Sequence, residues 1–165
     1  EVKPDGTYVT GHDTRVKNNE YHLLPGHTYY KDPTVTVLKG SERSYIRMLV
    51  TINEQADLDA IFAPDGLPLD TFFGGNSADW TLTKESENND NTRTYEFRYK
   101  ETVAAPDEDV VLDDLFETIT VPGDVTGDQL ATIDELEIKV VAQAIQADGF
   151  ESADEAWAAF STDAN

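Results

Sequence analysis

Residues 44–52 read Ser44-Tyr45-Ile46-Arg47-Met48-Leu49-Val50-Thr51-Ile52, and their alternation decides the fold class. Ile46, Met48, Val50 and Ile52 recur every second residue, with Tyr45, Arg47, Leu49 and Thr51 between them. Period two is the side-chain repeat of a β-strand, so the first set predicts a core face. The second set is mixed, and its Leu and Tyr predict partial cover on that face too.

Working outward, the neighbouring segments carry strand and turn signals. Thr34–Lys39 (TVTVLK) is rich in β-branched residues and follows the Asp32-Pro33 break. Thr14–Leu24 reads as a strand closed by Pro25-Gly26. Trp80–Glu85 and Thr92–Lys100 read as a hairpin joined by a wholly polar loop. In its second strand Tyr95, Phe97 and Tyr99 alternate with Glu96 and Arg98, which predicts an aromatic inner face. Leu115–Val121 is a further strand, stopped by Pro122-Gly123. Residues 65–75 read as irregular, and Ala104–Asp114 as an acidic crossing without periodicity.

Helical signals are short. Asp57–Phe62 and Thr126–Ile133 each allow a brief helix. Ser152–Phe160 has Ser152 as N-cap, Glu155 completing a capping box, and Ala156, Trp157 and Phe160 as the apolar face. Glu137–Ala147 is ambiguous by pattern. Leu136, Val140, Val141, Ala144 and Ile145 fit a helical stripe as well as Ile138, Val140, Ala142 and Ala144 fit a strand face. With about eight short strands separated by turns, the expected class is all-β, a jelly-roll-like β-sandwich with a few short helices in the connections.

The 165 residues suit one domain with a sizeable core. Residues 13–165 are expected to form it, and residues 1–12 an N-terminal extension. Pro4-Asp5-Gly6 breaks that extension, leaving Thr7-Tyr8-Val9-Thr10 as its β-prone part. The chain opens at Glu1 rather than Met, as a mature chain does after signal-peptide removal, and as any excised piece of a longer protein does.

Charge excludes more than it assigns. Asp plus Glu number 33 against 12 Lys plus Arg, a formal net charge of -21, which repels nucleic acids and anionic lipid surfaces. No apolar run approaches the ~18 residues of a membrane helix. Cysteine is absent, which removes disulfides, thiol catalysis and Cys-based zinc sites.

The remaining chemistry is thin. His22 and His27 flank the Pro-Gly turn, with Asp13 or Asp32 as conceivable carboxylate partners for a metal. No His-Glu-x-x-His motif, nucleophile elbow or Gly-rich phosphate loop is present. Acidic clusters at Asp107-Glu108-Asp109, Asp113-Asp114 and Asn88–Asn91 offer oxygen ligands for Ca²⁺, without EF-hand spacing. Tyr29, Tyr30, Tyr45 and Trp80 offer a stacking platform for sugars, although aromatics at strand spacing usually belong to cores. The expectation is a protein that is not an enzyme and needs no cofactor.

Two stretches, Tyr21–Asn53 and Ile119–Phe160, carry a family likeness. The phrase Leu23-Leu24-Pro25-Gly26, two residues on to Tyr29, then Lys31-Asp32-Pro33-Thr34-Val35-Thr36-Val37, is followed by the strand at 44–52. In this order they resemble the TasA/camelysin-type secreted biofilm matrix proteins of Gram-positive bacteria, which a dedicated signal peptidase releases. The resemblance favours a strand at Glu137–Ala147. It implies an extracellular, jelly-roll fibre subunit that polymerises head to tail, its partners being copies of itself and other matrix components. It also implies that the mature N-terminus acts as donor strand, which here falls on Val2, Thr7, Tyr8, Val9 and Thr10. The alternative is a monomeric secreted surface module binding carbohydrate or calcium.

Overall fold

A computed structural model describes residues 23–133 and 135–162. In chain order the elements are strands β1 (Thr28–Tyr30), β2 (Thr36–Val37) and β3 (Ser41–Ile52), helices α1 (Gln55–Ile61) and α2 (Leu69–Phe72), and strands β4 (Phe73–Gly74), β5 (Trp80–Glu87), β6 (Arg93–Tyr99), β7 (Val103–Ala105), β8 (Val110–Val111) and β9 (Thr118–Thr120). Helix α3 (Gly127–Leu130), strand β10 (Ile138–Gln146) and helix α4 (Ala153–Thr162) follow. Every strand pairing is antiparallel and the helices are short, so the all-β class expected from the alternation at 44–52 is the class observed.

The described residues fall into two compact units, each assembled from separated pieces of chain. The first takes in residues 23–32, 56–76 and 116–133 and holds the sheet β1-β9-β4. Its entry is the Pro25-Gly26 turn, where the His27 amide donates to the Leu24 carbonyl at 3.1 Å and Gly26 sits at φ 72°. That positive φ at the third turn position is the reason glycine is needed there. Phe73 on β4 and Phe116 are both buried, their rings stacked at 4.3 Å. Thr126 caps α3 through a reciprocal capping box with Gln129. The strand expected at Leu115–Val121 contracts to β9, and the segment read as irregular contains α2 and β4. Of the strand expected at Thr14–Leu24, all but Leu23 and Leu24 lies outside the described residues, and those two are not in a strand.

The second unit takes in residues 33–55, 77–115 and 135–162 and is organised around β3. Its main sheet has the order β10-β3-β6-β5, with β7 also paired to β3. Strand β3 is therefore bonded on both sides: Ile138–Gln146 runs along Ile52–Ser44 on one, and Arg93–Arg98 plus Val103 and Ala105 line the other. The sequence-assigned core face is buried, with Ile46 at 2%, Met48 at 1%, and Val50 and Ile52 at 0% exposure. Full-length pairing of β10 also resolves the ambiguity at Glu137–Ala147 in favour of a strand. Thr34–Lys39 contributes only the two residues of β2, and the acidic crossing conceals β7 and β8.

The other face of β3 departs most from expectation. Tyr95 is 1% exposed as its alternation predicts, yet its neighbour Glu96 is also buried, at 8%. The cause is α4, which covers that face. Ser152 Oγ accepts the Glu155 amide at 3.2 Å, as the capping box predicts, whereas the Glu155 carboxylate reaches back to the Glu151 amide instead. The helix presents Trp157, 3% exposed, and Phe160 to the guanidinium of Arg47, which lies 4.2 and 5.3 Å from their ring centroids. Arg47 donates to Gln143 on β10 at 2.8 Å and to Glu96 on β6 at 3.0 Å. The other Glu96 carboxylate oxygen accepts from Arg98 at 2.6 Å and from Thr83 on β5 at 3.1 Å. Arg98 in turn holds Asp154 of α4. Burial draws the Arg47 pKa below its usual value, partly offset by Glu96. Burial acts on Arg98 in the same sense, but bonds to Asp154 and Glu96 raise its pKa overall. One cluster of charged side chains thus ties four strands and a helix together.

Two outcomes follow from this packing. Met48→Asp or Val50→Asp places an unpaired charge in the core and is expected to abolish cooperative folding, since the whole stability of a domain is about 5–15 kcal/mol. An unchanged melting temperature would show that this face is not core. Arg47→Ala leaves the buried Glu96 carboxylate short of a partner and is expected to cost about 3–5 kcal/mol in denaturant unfolding. A loss below about 1 kcal/mol, the scale of an exposed ion pair, would show that the cluster does not hold the sheet.

Candidate site for strand addition

Sheet edges are where backbone N–H and C=O groups remain available to another chain. Among the described residues, the main sheet of the second unit ends at β10 on one side and at β5 on the other. The two edges differ in chemistry. Strand β5 reads WTLTKESE, with Lys84, Glu85 and Glu87 near its end and a register shift between Leu82 and Lys84. Charges and bulges are the features that discourage edge pairing. Strand β10 reads IKVVAQAIQ, nine residues with Lys139 as its single charge, and its pairing to β3 is continuous. The edge strands of the β1-β9-β4 sheet are only three and two residues long. In a chain of net charge -21, β10 is a long edge almost without charge.

Its side chains follow from the register. Ile138, Val140, Ala142 and Ala144 stand beside Ile52, Val50, Met48 and Ile46, the buried column of β3. Ile138 and Val140 are half-buried, but Ala142 and Ala144 are exposed although their partners Met48 and Ile46 are buried. On the other face Gln143 is fixed by Arg47, and Val141 is 39% exposed. The sequence pattern alone names these residues as a strand face. Their position at an edge was not legible in it, although the presence of a single charge, Lys139, over Ile138–Gln146 was a usable signal.

The other candidates are placed less favourably. The donor-strand residues Val2, Thr7, Tyr8, Val9 and Thr10 lie outside the described residues, as do Asp13 and His22. His27 is exposed, with Nδ1 3.2 Å from the Pro25 carbonyl. Among the described residues no three His, Asp or Glu side chains converge on a point that would hold a metal ion. The acidic clusters have local partners instead. Asp109 accepts the Lys39 amide at 2.7 Å, and Asp90 accepts the Thr92 hydroxyl at 2.7 Å. Exposed Asp113 has its pKa raised by the neighbouring Asp79 carboxyl first, with the charge of Asp114 adding to it.

The aromatic platform divides. Trp80 is buried, donating its indole N–H to the Asp113 carbonyl at 2.9 Å and meeting Tyr99 edge-on. Tyr29 is buried and its hydroxyl accepts the Leu24 amide, while Tyr30 is 47% exposed. Trp80 and Tyr29 are thus core side chains rather than a stacking surface. No helix among the described residues is long and apolar enough to cross a membrane.

No protein-family model matches the chain, and neither curated proteins nor solved structures gave a match.

Proposed function

We propose that this chain is a structural subunit of an extracellular filament, a biofilm matrix fibre component that polymerises head to tail. Each copy receives an extended N-terminal segment from its neighbour, the donor strand being residues 1–12 with Val2, Thr7, Tyr8, Val9 and Thr10 as its β-prone and apolar members. The observation that carries this reading is the long, nearly uncharged β10 edge in a strongly acidic chain. An edge of that kind is a template for β-augmentation. A donor leaving one copy and entering the next makes a contact that does not close on itself, and repetition of it builds a filament.

The energetics are compatible with assembly in salt. Nine paired residues at roughly one backbone hydrogen bond each supply about 5–13 kcal/mol net, against an association cost of about 4–15 kcal/mol. The two are comparable, so side-chain burial and charge decide the outcome. Repulsion between acidic copies is screened beyond about 8 Å at physiological ionic strength. Assembly is therefore expected to be promoted by salt.

Deleting residues 1–12 is expected to abolish filaments seen by negative-stain microscopy while far-UV circular dichroism stays β-rich. Filaments of unchanged morphology from the shortened chain would show that the donor lies elsewhere. A full-length chain that stays monomeric at every salt and calcium concentration would favour the surface-module reading instead.

A further inference from the structure

The outer face of the β1-β9-β4 sheet combines an open aromatic ring with a row of hydroxyls. Register puts Tyr29, Ile119 and Phe73 in one row across the three strands, and all three are buried, at 8%, 4% and 1% exposure. The alternate rows therefore point the other way. One is Tyr30, Thr118 and Gly74; the other pairs Thr28 with Thr120. Tyr30 is 47% exposed and Thr28 is exposed on the same strand. No residue of these two rows is charged, in a chain of net charge -21.

The polar groups of the face have bonding capacity to spare. The Thr28 and Thr120 hydroxyls lie 3.0 Å apart and share one hydrogen bond, which leaves one hydroxyl proton and several lone pairs unused. Among the described residues no group is hydrogen-bonded to the Thr118 hydroxyl, and it is not buried. A Cβ on Gly74 would come within 2.5 Å of Thr118 Oγ1, so glycine there gives this hydroxyl its place on the face.

We infer that this face binds a neutral saccharide chain, one sugar ring stacking on Tyr30 while Thr28, Thr118 and Thr120 hydrogen-bond the hydroxyls around it. A sugar ring has an apolar C–H face and a rim of hydroxyls, which matches an aromatic ring beside a row of hydroxyls. Charge narrows the class. Exposed Asp32, next in the column of Thr28 and Tyr30, and exposed Glu117, next to Thr118 in the chain, add to the net charge in repelling an anionic polymer. The same carboxylates accept hydroxyl protons from a neutral one. A metal cation finds no converging ligand set among the described residues. A purely apolar partner would cover the threonine hydroxyls without bonding them, which is costly. The site does not depend on strand addition, since β10 belongs to the other compact unit.

The test titrates the isotope-labelled full chain with cellohexaose and with chitohexaose, followed by amide NMR. Saturable shifts at Thr28–Tyr30, Thr118–Thr120 and Gly74 are expected from at least one of them, and none from hexagalacturonate, which is anionic. Tyr30→Ala is expected to weaken binding about tenfold, with the melting temperature little changed because the ring is largely exposed. Thr118→Val keeps the shape and β-branching of the side chain and is expected to weaken binding about three- to tenfold; it serves as the second variant if Tyr30→Ala does not fold. Leu82→Ala, at an exposed apolar side chain of the other unit, is expected to bind as wild type. The assignment is overturned if neither neutral saccharide binds, if the shifts fall outside this face, if hexagalacturonate binds as tightly, or if the folded variants bind as wild type. None of these outcomes bears on filament formation, which is read separately.

Discussion

The buried carboxylate of Glu96, held by Arg47, Arg98 and Thr83, is the interaction on which the second unit's sheet depends. A charge at that depth is tolerated only when its oxygens are fully bonded. Here the bonds come from the two neighbouring strands β3 and β5 and from Arg98 on Glu96's own strand, and Arg47 extends the cluster to Gln143 on β10. Trp157 and Phe160 close over the guanidinium, so the helix is fixed by the same side chain that fixes the strands. The register of β10 on β3 is thereby tied to a specific contact as well as to the apolar column. A slip by one residue would separate Arg47 from Gln143 and turn Ile138 and Val140 away from the core.

That constraint bears on the proposed assembly because it holds β10 in continuous register at the rim of the sheet formed by the described residues. A template must hold its backbone groups in line before a partner arrives, or ordering costs offset the bonds gained. In the proposed assembly, the protection of β5 by charge and a bulge, beside the bareness of β10, would give the sheet one direction of growth. In the same reading the net charge of -21 would restrict growth further, because acidic surfaces repel their own copies.

Strict alternation at Ser44–Ile52 made β3 and its buried face readable, because that strand is long and its core column unbroken. The hairpin was readable from its polar loop, and α4 from Ser152 and Glu155. What escaped was whatever depends on distant partners. Glu96 looks like an outward charge until Arg47, forty-nine positions earlier, and α4 are brought over it. Strands β4, β7 and β8 are two or three residues long and owe their existence to pairing rather than to any local pattern. The ambiguous segment at 137–147 was settled by its neighbour β3, not by its own periodicity. The edge position of β10 was hidden for the same reason: strand order is a property of the assembled sheet.

The most direct test is amide hydrogen exchange, compared residue by residue between monomer and assembled material. The account predicts that amides of Ile138–Gln146 directed away from β3 exchange much more slowly after assembly, while those on the outer side of β5 do not change. Unchanged exchange along β10 in assembled material, or new protection confined to β5, would contradict it.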